Sequence, residues 1–90
     1  MGERLKVVIE PTANSNTVRI SVNRELADAG RSFGSLADAA DHALARALLS
    51  IDGVQFVYVR RNYLTVTKGR KADWRTLGPI IQVRLHQVLK

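Results

Sequence analysis

Hydrophobic and polar positions alternate twice near the start of the chain. Leu5, Val7 and Ile9 fall on one face of residues 5–10, and Val18, Ile20 and Val22 on one face of Thr17–Val22. A period of two puts such residues on the same side of an extended backbone, so both segments are expected to be strands. Pro11 closes the first, because proline has no N–H to give to a ladder. Thr12-Ala13-Asn14-Ser15-Asn16 follows, with short polar side chains that bond their own backbone in turns. The two strands are expected to pair antiparallel across it. The strongest strand patterns lie at residues 54–60 and Tyr63–Lys68, rich in β-branched and aromatic residues, with Arg61-Asn62 as a tight hairpin between them.

Two stretches change the period from two to that of a helix. Leu36, Ala40, Ala43, Leu44, Ala47, Leu48 and Ile51 share one helical face, and Ser35 with Asp38 resembles a capping box. Gly53 is expected to end that helix in the left-handed conformation. Asp73 is a good N-cap for a second helix whose apolar stripe is Trp74, Leu77, Ile81, Leu85 and Val88. Gly78-Pro79 should kink it or delay its regular part. Residues 23–34 show no clear period, and Phe33 is their natural anchor. The predicted fold is α+β: a two-layer ββαββα sandwich, with two helices on one face of a mostly antiparallel four-stranded sheet and Trp74 against that sheet.

Length and composition narrow the function classes. The 90 residues fit one domain, expected to span residues 1–90. There is no cysteine, which removes disulfides, thiolate metal sites, thiolate-held iron–sulfur clusters and cysteine nucleophiles from these residues. No run approaches the ~18 apolar residues of a membrane span. No signal-like apolar stretch opens the chain, and Lys6 stands where a myristoylation signal after Gly2 wants Ser or Thr. A cytoplasmic protein with no membrane partner is expected. The charge is uneven: residues 1–59 carry six Lys/Arg and seven Asp/Glu, whereas residues 60–90 carry eight Lys/Arg and only Asp73, giving +6 in all. A basic half points to an acidic partner or to solubility, and says nothing about fold.

The side chains turned away from the predicted helices are Phe56, Tyr58, Arg60, Tyr63, Thr65 and Thr67, joined by Lys6 and Arg19. Aromatics interleaved with cations on a sheet bind single strands by stacking and phosphate attraction. Arg19, Phe56, Tyr58 and Tyr63 therefore form a candidate RNA or single-stranded DNA face, although such residues are also ordinary on exposed strands. Arg60, Arg61, Lys68, Arg70 and Lys71 gather around the second hairpin and the loop after it. They suit an acidic protein surface or a phosphate, or equally a charged edge that discourages sheet-to-sheet aggregation.

Catalytic and metal chemistry find no footing. His42 and His86 fall off their helices' apolar stripes and are expected at the surface. A metal site needs three or four converging ligands, and Asp41-His42 offers two that diverge on a helix. The serines at 15, 21, 32, 35 and 50 have no glycine elbow, and no phosphate-binding or dinucleotide glycine pattern occurs. No enzyme activity, catalytic residue, metal or cofactor is expected.

Residues 11–20, Pro11-Thr12-Ala13-Asn14-Ser15-Asn16-Thr17-Val18-Arg19-Ile20, resemble the Thr-Pro-Asn-Pro-Asn-Ser/Thr-Leu-Lys opening of the Nfu/NifU-type scaffold N-terminal domain. The likeness continues through residues 43–48 and Ile51-Asp52-Gly53-Val54, then Asn62-Tyr63-Leu64-Thr65-Val66-Thr67-Lys68, and closes on Asp73-Trp74, Leu77, Pro79 and Ile80. It covers roughly residues 8 to 89, in four segments in the family's order. In full-length members this domain precedes one whose Cys-x-x-Cys holds an iron–sulfur cluster, so without cysteine the cluster-holding role is not implied here. The chain looks like the short stand-alone bacterial versions. What the resemblance implies is an interaction module, accessory to cluster assembly or delivery, acting on assembly or recipient proteins; a monomer or weak homodimer is expected. Asn14 and Asn16 join the candidate partner-binding residues. Ser15 replaces the family's second proline, which loosens that loop, and Arg60-Arg61 replaces a Gly-Pro hairpin, which concentrates charge there and raises the acidic-partner reading above what composition alone supports.

Overall fold

The computed structural model describes residues 4–26 and 30–89; Gly2, read above for lipidation, lies outside them. The elements are β1 (Val7–Pro11), β2 (Thr17–Val22), β3 (Arg31–Phe33), α1 (Ala43–Leu49), β4 (Val54–Val59), β5 (Tyr63–Lys68) and α2 (Trp74–Leu89). The strands make one antiparallel sheet in the order β1-β2-β5-β4-β3. Alternation along β2, β4 and β5 sends Val18, Ile20, Val22, Val57, Val59, Leu64 and Val66 to a single face. There they join Leu44, Ala45 and Leu48 of α1 and Leu77, Ile81 and Leu85 of α2 in one core, so both helices cover the same side. Burying each large aliphatic side chain stabilises by about 1.5–3 kcal/mol. Leu5, Val7 and Ile9 pack against the edge of this core as their alternation requires.

The sheet has five strands among the described residues, not four. The added β3 is three residues at the edge, too short to show a period, and it brings the fully buried Phe33 opposite Val57. The first helix is shorter than its apolar spacing suggested. Asp38 N–H donates to Ser35 Oγ at 3.1 Å, so the cap-like turn does form. Its continuation, however, is a chain of three-residue-spaced bonds, Ala39 to Leu36 and His42 to Ala39, rather than an α-helix. Leu36 and Ala40 stay exposed while Ala39 is buried. The backbone is then extended at His42 (φ −131°, ψ 101°), and α1 starts after it. At its other end α1 stops at Leu49 with Ser50 as C-cap; Gly53 does have a positive φ of 100°, but in the turn into β4. Pro79 neither ends α2 nor delays it: the helix runs from Trp74 through to Leu89. Asp73 caps it as expected, its Oδ1 accepting from Arg75 N–H at 2.9 Å.

Candidate interaction surface

The strand β5 is six residues long, roughly 20 Å at extended rise. Arg60 and Arg61 stand before it and Arg70 and Lys71 after it, so the structure separates the basic residues to opposite ends of the sheet. Lys68 joins neither group. Alternation from Leu64 and Val66 carries it to the core side, where it is buried. Its Nζ donates to Asn16 Oδ1 at 3.0 Å and to the Gly69 carbonyl at 3.4 Å, and lies 5.8 Å from the centre of the Trp74 ring. The Trp74 indole N–H donates to the Ser15 carbonyl at 2.9 Å. Lys68 and Trp74 thus hold the β1–β2 loop against the start of α2. Asn14 accepts from Asn16 N–H at 2.9 Å through its side chain, so both asparagines are occupied in shaping that loop. Lys68 is not available to a partner, contrary to the sequence reading, and Asn16 Oδ1 is committed to it.

Arg70 and Lys71 are exposed beside a cleft of about 650 Å³, which Asp52, Gln55, Asp73 and Thr76 also line. Two carboxylates among its walls offset the two cations, so it is not a one-sign site.

The face away from the helices is open, as the alternation predicted. Register sets Val8 beside Ser21 and Tyr63, and Glu10 beside Arg19, Thr65, Tyr58 and Ser32. A bulge at Gln55 shifts the β4 register so that Phe56 meets Thr67 and remains outward, 39% exposed. Thr17 and Thr67 share a hydrogen bond through their hydroxyls at 2.9 Å. The Arg19 guanidinium carbon lies 4.2 Å from the centre of the Tyr63 ring. Arg60 Nη1 donates to the Tyr58 hydroxyl at 3.1 Å, and that bond holds Arg60 still more firmly protonated than an ordinary arginine. Arg19, Tyr58, Tyr63 and Arg60 are therefore brought together, with Phe56 at the far end of the same face. Arg61 is exposed at the hairpin rim beside Asn62.

His86 is exposed, but His42 is half-buried. Its Nδ1 accepts from Ala45 N–H at 3.2 Å as the N-cap of α1, and its ring sits 4.9 Å from that of Phe33. Burial pushes its pKa below the usual histidine value, with the Arg31 cation adding to the effect. Asp41 forms an ion pair with Arg31 at 3.2 Å, which holds its carboxyl below the usual range. Among the described residues no three or more His, Cys, Asp or Glu converge to hold a metal, and no helix is long and apolar enough to cross a membrane. The roles of His42 and Arg31 were not legible beforehand, because β3, which seats Phe33 against His42, has no sequence period. Arg84 is a further case: from α2 it donates to the Ala47 carbonyl and to Ser50 Oγ, each at 2.8 Å, joining the end of α1 to α2.

A family model described as "Scaffold protein Nfu/NifU N terminal" matches residues 7–90. Conserved virulence factor C of Staphylococcus aureus (strain USA300) is 31% identical over 82 residues, covering 91% of this chain and 22% of that protein. YpgR of Bacillus subtilis (strain 168) is 36% identical over 78 residues, covering 84% and 20%. The chain thus spans about a fifth of the length of these curated relatives. In fold, it is similar to the crystal structure of protein SAV1430 from Staphylococcus aureus, with TM-score 0.78, 22% identity, and coverage of 89% of this chain and 98% of that one. A solution structure of a NifU-like protein from Saccharomyces cerevisiae gives TM-score 0.79 at 18% identity, covering 97% and 82%.

Proposed function

The chain belongs to the Nfu/NifU scaffold N-terminal family, and from that premise we propose that it is a non-catalytic protein-interaction module of the cytoplasm. In this reading it is accessory to iron–sulfur cluster assembly or delivery and does not hold the cluster. The observation that carries the proposal is where the side chains of the family-like segments go. Lys68 and Trp74 turn inward to lock the β1–β2 loop, so those segments serve the fold, and what the domain offers outward is surface. The outward surface includes paired cations and tyrosines, the residue types that dominate binding hot spots. A cluster would need thiolates, with histidine substituting only in part, and these 90 residues contain no cysteine.

Affinity capture from the native host, with co-purified proteins and nucleic acids both identified, tests the reading. Iron–sulfur assembly or recipient proteins are the expected catch, and recovery of nucleic acid alone would count against it. Anaerobic reconstitution of the purified chain with iron and sulfide is expected to leave it colourless after desalting. A stoichiometric chromophore would refute the claim that it holds no cluster.

A further inference from the structure

We propose that the open sheet face is a carboxylate receptor, in which Arg19 and Arg60, each positioned by a tyrosine, dock an acidic protein segment across β2, β5 and β4. The inference rests on the interaction-module reading only in its choice of a protein as ligand. Arg60 is the cross-hairpin neighbour of Tyr63, its N–H donating to the Tyr63 carbonyl at 2.8 Å, while Arg19 lies over the Tyr63 ring from the other side. Arg19 is level with Thr65 and Tyr58 and Arg60 with Tyr63, so the two arginine backbones stand two strand spacings across and two residues along the sheet, roughly 12 Å apart, with the Tyr63 strand between them.

Stacking on a ring fixes a guanidinium's plane and leaves its edge N–H groups free, which is the fork that matches a carboxylate. Arg60 keeps four further N–H donors once one is given to Tyr58, since a guanidinium carries about five. Both arginines are exposed, while both tyrosines are half-buried and anchored in the sheet. Little side-chain freedom remains to be lost on binding, and pre-organisation of this kind raises affinity. Lys6, exposed just before β1, carries a further cation near the edge of the sheet. Glu10 is the one acid among the described strand positions turned this way; it stands opposite Arg19 in register, yet the guanidinium leans to Tyr63 instead.

The same geometry argues against two other occupants. A base stacking on Tyr63 would need the ring face that Arg19 already covers. A second copy would bring one cationic face against another, because a two-fold interface uses the same patch on both subunits.

The test is a selection from displayed random peptides biased to Glu and Asp, against the same library with Gln and Asn in their place and against oligothymidylate, all at physiological salt. Acidic peptides are expected to bind, with amide shifts confined to β2, β5 and the hairpin end of β4. Arg19→Gln and Arg60→Gln are each expected to weaken binding about tenfold, and Tyr58→Phe to weaken it less, whereas Arg70→Gln with Lys71→Gln should leave it unchanged. The proposal falls if no acidic peptide outcompetes its amide counterpart, or if the shifts map to the cleft at Arg70 and Lys71. It falls equally if oligothymidylate binds more tightly and loses that binding on Tyr63→Ala. Capture of assembly proteins that survives the Arg19→Gln, Arg60→Gln double variant would leave the module reading standing and sink this one. Acidic-peptide binding on this face without any assembly partner would do the reverse.

Discussion

At the scale of single residues, the lysine and tryptophan that begin as a basic-surface candidate and a core candidate turn out to share one job. Trp74 is half-buried, so its removal forfeits less than that of a ring enclosed on all sides, where the cost is typically ~3–5 kcal/mol. Its indole N–H nonetheless fixes the β1–β2 loop at Ser15. Trp74→Phe keeps most of the packing and deletes that bond, which should cost about 1 kcal/mol; Trp74→Ala should cost about 2–3 kcal/mol. Urea unfolding of the three proteins measures both, and a Trp74→Phe variant as stable as the parent would remove the hydrogen bond from the account. The inward turn of Lys68 was legible, since Leu64, Val66 and Lys68 obey one alternation. Charge alone led it to be grouped with the surface. No comparable signal marks Arg84, whose partners on α1 lie more than thirty residues away in the chain.

At the scale of elements, α1 is the instructive case. Apolar spacing read it as a long helix from Ser35, and the Ser35–Asp38 turn that spacing relied on is real. What spacing could not show is that the edge strand places Phe33 against His42, drawing His42 out of helical geometry and into the N-cap. The cap has a pH consequence. Nδ1 accepts the Ala45 N–H only when it carries no proton, and burial first, then Arg31, lowers the folded-state pKa, against a smaller opposing effect of Asp41. The unfolded chain therefore binds the proton more readily than the folded one. The stabilisation is complete above the unfolded value near 6.5 and is lost as pH falls through it toward the folded value. Unfolding of the parent should show this extra loss between neutral and mildly acid pH. His42→Asn, which keeps a capping oxygen but cannot titrate, should lack it, and equal pH slopes for the two proteins would refute the coupling.

For the whole molecule, pattern gave the layers and the face assignments of the long strands and of α2, because each buries one side and period reveals which; in α1 it put Ala43 on the apolar side, where the structure buries Ala45 and leaves Ala43 exposed. It missed what period cannot encode, a three-residue edge strand; the separation of Arg60 and Arg61 from Arg70 and Lys71 was legible in the predicted length of β5, and charge alone grouped them. The sheet's two edges also bear on how the chain behaves in solution. An unpaired edge invites another strand, and proteins blunt such edges with short strands, proline and lysine. Here β3 is only three residues, while β1 has Lys6 just before it and ends on Pro11, which has no N–H to offer. A net charge of +6 adds repulsion between copies at low salt. The parent should therefore sediment as a monomer over a broad concentration range. Replacing both blunting residues of β1, Lys6→Val with Pro11→Val, restores an apolar edge with a full set of donors, and should bring concentration-dependent association that salt strengthens by screening the charge. Dimerisation of the parent, or a double variant that remains monomeric at high salt, would show that something other than these edge residues decides self-association.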